Sequence, residues 1–240
     1  MRFSFRFRLL PFIAMLVVAA IGISLGQWQL RRAAEKETIE QRIVARAKEA
    51  PLRLDGAGAS AADGDALEFR QVLVRGEFLP GWTLYLDNRP HEGKPGFHVI
   101  TPLKIAGSNR HIIVLRGWTA RDMADRSRVP QIATPPGTVE VTGTVRLHPS
   151  RLLQLGQPAP LTPGAIVQNL DAAQLAQASG LEFEPFVVEQ TGGASDGLVR
   201  DWPRPSLGID RHYGYAFQWF ALAATAFLFF VVTGFKRASN

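Results

Sequence analysis

The residues with most chemical potential stand together near the end of the chain: Arg211, His212, Tyr213, Gly214, Tyr215, Ala216, Phe217, Gln218 and Trp219. On a helix, His212, Tyr215 and Trp219 fall along one face, at offsets of three and seven. Imidazole is an axial ligand for haem iron, and an apolar aromatic wall suits a porphyrin face. The same rings also fit a membrane-interface belt, where amphipathic side chains sit at headgroup depth. A belt accounts for Tyr213, Tyr215 and Trp219. It accounts less well for His212, and for Gln218, a polar group that needs a partner inside a bilayer. Both readings stand on the residues alone.

The rest of the chain offers little catalytic chemistry. It has no Walker A loop, no dinucleotide glycine fingerprint and no G-x-S-x-G elbow. It has no cysteine, which removes disulfides, thiolate chemistry, iron–sulfur clusters and cysteine-ligated zinc. His91, His98, His111 and His148 are not paired at helical metal-ligand spacing. His98 lies in a strand pattern between Phe97 and Val99 and reads as a packed or edge residue. Arg116-Gly117-Trp118 reads as a strand end with a glycine bend and a packed indole; the competing reading is a contact surface for a partner. The expectation is a protein that is not an enzyme and holds no metal, unless His212 takes a haem iron.

Two uncharged apolar stretches, residues 9–26 and 215–235, bracket nearly everything else. Each approaches the ~20 residues that a helix needs to cross a bilayer. The first is longer than the 7–15-residue core of a signal peptide and reads as a retained anchor. Of 27 Lys and Arg, five lie in the short flanks before the first stretch and after the second, namely Arg2, Arg6, Arg8, Lys236 and Arg237, and no acid accompanies them. All 21 Asp and Glu fall between Glu35 and Asp210. Basic flanks stay in the cytoplasm, whereas long loops translocate largely regardless of charge. The net charge of +6 is therefore topological, and nucleic acid is not expected as a partner. The expected layout is a cytoplasmic N-terminus (1–8), a first transmembrane helix (9–28), a periplasmic region (29–211), a second transmembrane helix (212–235) and a cytoplasmic tail (236–240). A bacterial inner membrane fits this layout, with the lipid bilayer itself as a partner.

Within the central region, the Ala-, Glu- and Arg-rich run after residue 28 extends the first helix towards Pro51, and Arg31 can pair with Glu35 four residues on. Residues 55–66 and 192–197 read as linkers. Strand patterns cover residues 69–74, 82–86, 96–103, 111–118, 139–145, 165–170 and 186–189. One short helix runs from an Asp171 cap to Ser179 and stops at Gly180. The expected fold is α+β: an antiparallel sheet, barrel-like or sandwich-like, bracketed by two terminal transmembrane helices.

Four segments together resemble the Surfeit locus protein 1 family, the Shy-type cytochrome oxidase assembly factors. They are Leu25-Gly26-Gln27-Trp28-Gln29-Leu30-Arg31-Arg32; Asn88-Arg89 with Gly93-Lys94-Pro95-Gly96-Phe97-His98-Val99-Ile100-Thr101-Pro102-Leu103; Val114-Leu115-Arg116-Gly117-Trp118; and His212-Tyr213-Gly214-Tyr215-Ala216-Phe217-Gln218-Trp219-Phe220. The family often has Asn at the positions of Leu115 and Asp210. The resemblance implies a biogenesis factor for haem-copper (cytochrome c) oxidase, assisting the delivery of haem a to subunit I. On it, His212 is the axial ligand, Tyr215 and Trp219 form the wall, and Arg211 or Arg204 meets a propionate. Subunit I, and haem A synthase upstream of it, are the implied partners. A cofactor-free scaffold that stabilises an oxidase assembly intermediate is the alternative.

The charge asymmetry makes one direct prediction. Alkaline phosphatase fused after Gly143 should be active in cells, and fused at Asn240 it should be inactive. The reverse pattern of colony activity would invert the topology.

Overall fold

The computed structural model describes residues 3–54, 61–125, 128–153, 160–193, 196–202 and 207–237. In chain order the elements are β1 (Phe3–Phe5), α1 (Leu9–Ala47), β2 (Leu52–Leu54), α2 (Ala61–Leu67), β3 (Gln71–Phe78), a 3-10 turn (Pro80–Trp82), β4 (Leu84–Leu86), β5 (Gly96–Ile105), β6 (Arg110–Ala120), β7 (Thr138–Arg146), β8 (Ile166–Val167), α3 (Ala172–Ser179), β9 (Glu182–Gln190), α4 (Ile209–Gly234) and β10 (Phe235–Arg237). They form two compact units, residues 1–42 with 205–240, and residues 43–204.

The first unit holds both apolar stretches. α1 has 39 residues and α4 has 26, about 58 and 39 Å at 1.5 Å per residue. Both are long and apolar enough to cross a bilayer by length and composition. α1 continues past the apolar stretch to Ala47, as the sequence reading expects, and α4 begins at Ile209, ahead of His212. Glu35 pairs with Arg32 at 2.8 Å, one turn of i,i+3 spacing, rather than with Arg31. The two chain ends meet in a ribbon, β1 antiparallel to β10, with Phe3 opposite Arg237 and Phe5 opposite Phe235. The Phe5 ring stands edge-on to Phe230 and Phe235.

The second unit is a closed five-stranded barrel. The strands follow the order β3-β7-β9-β6-β5, and β5 pairs again with β3. Counted along the chain this is 1-4-5-3-2-1, a Greek-key closure of the kind found in OB-type barrels. All neighbours are antiparallel except β6 and β9, which run parallel. The short pairs β2–β3 and β4–β8 are parallel too. The expectation of a purely antiparallel sheet is corrected accordingly: β9 follows a long excursion through β8 and α3, so its direction is not set by a hairpin.

Period-two patterning fills the barrel. Val72, Val74 and Phe78 of β3, Val141 and Val145 of β7, and Phe186 and Val188 of β9 point inward. Leu103 and Ile105 of β5 and Ile112 and Val114 of β6 complete that core. The outer faces of β5, β6 and β9 are covered as well, since Ile100, Ile113, Leu115 and Val187 pack on β4, β8 and α3 through Leu84, Leu86, Val167, Leu170 and Leu175. Burial on both faces explains the unbroken apolar run Ile112–Leu115. α3 is capped as its sequence dictates: the Asp171 carboxylate accepts from Ala173 N–H at 2.8 Å, and Gly180 ends the helix with φ +70°.

Other strand readings shift at their ends. The first strand pattern moves to 71–78 and the sixth shrinks to Ile166–Val167. Part of the expected 55–66 linker is the helix α2, whose Leu67 enters the barrel core. Residues 55–60, and residues 194 and 195 of the other expected linker, lie outside the described residues, as do 1–2 and 238–240 of the terminal flanks.

Barrel closure leaves no room at Gly76, the residue where β3 faces both Ile105 of β5 and Val139 of β7. A Cβ there would stand 2.2 Å from the Lys104 carbonyl oxygen, whereas one at Gly81 would meet nothing within 4 Å. Gly76→Val should therefore lose at least about 2 kcal/mol of stability, and Gly81→Ala should be nearly neutral. Thermal melts of the purified full chain test this; equal melting points for the two variants would contradict it.

Candidate functional site

The candidate site is built on the α1–α4 pair. Buried positions recur every seven residues on each helix: Met15, Gly22 and Gln29, with Gly26 and Ala33, on α1; Ala216, Ala223 and Phe230 on α4. A seven-residue repeat keeps one seam facing the partner helix. Small residues let the backbones approach. A Cβ on Gly22 would sit 2.9 Å from the Trp219 carbonyl oxygen, and one on Gly26 would sit 2.7 Å from the Phe220 ring. Close approach of this kind is how helices pack where lipid removes the hydrophobic drive. Contacts that rise along α1 fall along α4, so the pair is antiparallel.

That packing brings Gln29 onto His212. Gln29 is buried, and its Oε1 lies 2.6 Å from the half-buried His212 Nδ1. In the neutral tautomer that carries its proton on Nδ1, that nitrogen donates to the amide oxygen and Nε2 keeps its lone pair. A neutral imidazole oriented through one nitrogen and open at the other is the state a metal-ligating histidine needs. The next residue, Tyr213, donates from its hydroxyl to Glu37 at 2.8 Å. Tyr215 is 52% exposed, Trp219 is half-buried, and Arg211 is exposed. Gln218 is exposed and its amide bonds to none of the described residues. Arg204 lies outside the described residues. No three His, Cys, Asp or Glu side chains among the described residues come together as a metal site.

Sequence reasoning singled out His212 and missed Gln29 and Glu37. The signal was present in the first apolar stretch, where Gly22, Gly26, Gln29 and Ala33 follow 4-3-4 spacing and put a polar amide on the small-residue seam.

The other motif residues serve the barrel. Arg116 is 1% exposed and anchors two loops to β6. It donates to Thr134 Oγ1 and the Ala133 carbonyl, both at 2.7 Å, and pairs with Asp196 at 2.9 Å; Arg200 reaches the same carboxylate at 2.6 Å. Gly117, at φ +154°, passes against Leu198 and Val199. Trp118 is buried, as the packed-indole reading expects, and its Nε1 donates to the Arg89 carbonyl at 2.6 Å. β6 nevertheless continues two residues past it.

His98 is half-buried on β5, with its ring edge-on to Trp202 at 5.0 Å. Burial, helped by the Arg89 and His91 charges, lowers its pKa from 6.5 to about 4. Between those two pH values the unfolded chain binds a proton that the folded chain refuses, so stability falls as pH falls through this window. At about 1.4 kcal/mol per pH unit, His98 costs up to about 3 kcal/mol by pH 4. Urea midpoints at pH 7 and pH 4.5 should drop less in His98→Phe than in the parent. An equal drop would place the acid sensitivity elsewhere.

Comparison with known proteins gives the chain a family. The SURF1 family model matches residues 16–224, a range that begins within α1, ends within α4 and contains the whole barrel. A SURF1-like protein of Rickettsia felis is 28% identical over 230 residues, covering 92% of this chain and 95% of that protein. The SURF1-like protein of Drosophila melanogaster is 26% identical, covering 90% and 75%. Surfeit locus protein 1 of Mus musculus is 26% identical, covering 90% and 73%. Matched from the first apolar helix through the barrel to the second, this chain belongs to the SURF1 family.

Proposed function

We propose that this protein is a membrane-embedded biogenesis factor for cytochrome c oxidase and that it assists the delivery of haem a to subunit I. Family membership supports the role in oxidase assembly. The observation that carries the haem reading is the Gln29–His212 hydrogen bond, which orients the imidazole through Nδ1 and does not use Nε2. The residues present fit the group: His212 would hold the iron, and Tyr215 and Trp219 would offer ring surface beside it. Arg211 is exposed and free to meet a propionate. Bound there, haem a would bring the redox iron centre that the oxidase subunit needs.

This chain's own residues then account for a carrier rather than a permanent holder. His212 offers one protein nitrogen, and no second histidine lies within α1 or α4. A single ligand gives modest affinity and permits hand-over. The two apolar helices keep the site at the bilayer, with both ends cytoplasmic and the barrel periplasmic in a bacterial inner membrane. In this reading the barrel docks the partner, either subunit I or the haem A synthase that precedes it.

A second reading has an observation of its own. The Gln29–His212 bond also ties the two helices directly, which suits a cofactor-free scaffold for an oxidase intermediate.

Absorption spectra separate the two. Full-length protein purified in detergent from cells that make haem a should carry a Soret band. His212→Ala should remove or strongly change it, while His98→Ala and His148→Ala should leave it intact. Gln29→Leu should keep the ligand but weaken retention by about tenfold or more, the usual effect of losing an orienting partner. An unchanged spectrum in His212→Ala would end the ligand reading and leave the scaffold ahead. In a deletion strain, oxidase activity should fall without vanishing, and the haem a to protein ratio of purified oxidase should fall with it. A full haem complement in an inactive oxidase would count against delivery.

A further inference from the structure

The two-stranded ribbon gathers charge that the sequence keeps apart. Arg6 and Arg8 stand near one end of the chain, and Lys236 and Arg237 near the other. Pairing of β1 with β10 sets Lys236 opposite Ser4 and Arg237 opposite Phe3. The Arg6 N–H donates to the Gly234 carbonyl at 2.8 Å and extends the ladder by one rung. Four basic residues thus lie on or beside one short ribbon. No Asp or Glu occurs before Glu35 or after Asp210. Arg6 and Arg8 are exposed, and neither forms an ion pair among the described residues. The other end of α1 differs: Arg31, Arg32 and Lys36 are interleaved there with Glu35, Glu37 and Glu40, and Arg32 pairs with Glu35.

Aromatic rings alternate with the two arginines, in the order Phe5, Arg6, Phe7, Arg8. A Cβ on Gly234 would overlap the Phe5 ring, which fills that gap. The Phe7 ring centre lies 5.1 Å from that of Phe12 and 6.2 Å from that of Phe230. These contacts leave much of the rings uncovered: Phe5 is 45% exposed, Phe7 56% and Phe235 50%. The ribbon also joins the apolar helices directly, since α1 opens at Leu9 and β10 follows α4 without a break. Helices that cross a bilayer therefore set the ribbon at headgroup depth. Aromatic rings at that depth bury in the boundary with the acyl chains, and cations beside them meet the anionic surface.

We propose that the ribbon is a docking site for an anionic phospholipid, with Arg6 and Arg8 receiving the headgroup phosphate and the exposed phenylalanine rings receiving the upper acyl chain. Arginine forks match phosphate oxygens, and no protein carboxylate competes for these two. A zwitterionic headgroup carries its own cation, which the basic ribbon repels, so the site selects lipids of net negative charge. The inference rests on the membrane placement of the two helices. It does not depend on haem, on His212 or on which leaflet the ribbon meets.

Native mass spectrometry of the full chain, purified in a non-ionic detergent from cells that make no haem a, tests this by counting bound lipid. Dioleoyl phosphatidylglycerol should bind at least about tenfold more tightly than dioleoyl phosphatidylcholine, and the preference should shrink as salt rises. Arg6→Gln with Arg8→Gln should remove most of the preference. Both side chains are exposed and unpaired, so the melting point without lipid should match the parent and separate lost binding from lost fold. Arg6→Lys with Arg8→Lys keeps the charge and should keep the preference for the anionic lipid. Arg31→Gln with Arg32→Gln, at the other end of α1, should leave it unchanged. Glycerol phosphate, which has the phosphate but no acyl chain, should not displace the lipid. Equal affinity for the two lipids, a preference that survives in the Arg6 and Arg8 glutamine pair, its loss in the Arg31 and Arg32 pair, or displacement by glycerol phosphate would each overturn the proposal. The haem reading is decided separately by the His212→Ala spectrum, and the leaflet by the alkaline phosphatase fusions.

Discussion

Contact between Gly22 and the Trp219 backbone, and between Gly26 and the Phe220 ring, leaves no space for a Cβ at either glycine. This closeness governs what the helix pair can do. Gln29 follows Gly26 by three residues on the same seam, so its amide is delivered to His212 by the packing that the glycines permit. A methyl at Gly26 would displace the Phe220 ring and shift a helix face that must hold a hydrogen bond to 2.6 Å. In an apolar surrounding a misplaced amide is costly, because few alternative partners exist. The chemistry of His212 therefore rests on two residues that touch nothing reactive.

The barrel follows a different rule. Its strands β5 and β6 are covered on both sides, inward by the barrel core and outward by β4, β8 and α3. Side chains on both faces are then fixed by packing, and polar groups within the layer must be fully partnered. Arg116 comes close to that demand through Thr134, Ala133 and Asp196, with its Nε left unbonded, and burial lowers its pKa while Asp196 opposes the change. Arg89 meets it only in part.

The parts of the fold that were legible in the sequence are those governed by local rules. Alternation at Val139, Val141 and Val145 marked β7, the Asp171 and Gly180 pair marked α3, and charge-free length marked both long helices. Strand direction was not legible, because β9 reaches β6 by a non-local route. The helix α2 was hidden by its Ala, Gly and Asp composition, which resembles a linker until Leu67 is seen in the core. At the candidate site, His212 could be read from residue type and spacing. Its partner lay 183 residues away along the chain, and only the folded seam connects them.

The β1–β10 ribbon joins the first residues of the chain to nearly the last. A unit made from segments this far apart cannot assemble until α4 and β10 have been synthesised. α1 emerges first and must wait for α4, whose first residue, Ile209, is separated from Ala47 by the whole barrel. At translation rates of about 5–20 residues per second, that interval is on the order of ten seconds or more. The barrel, continuous in sequence, has time to close during this delay. Gln29 thus spends the early life of every molecule without its histidine, and the helix pair is the last part of the protein to become native.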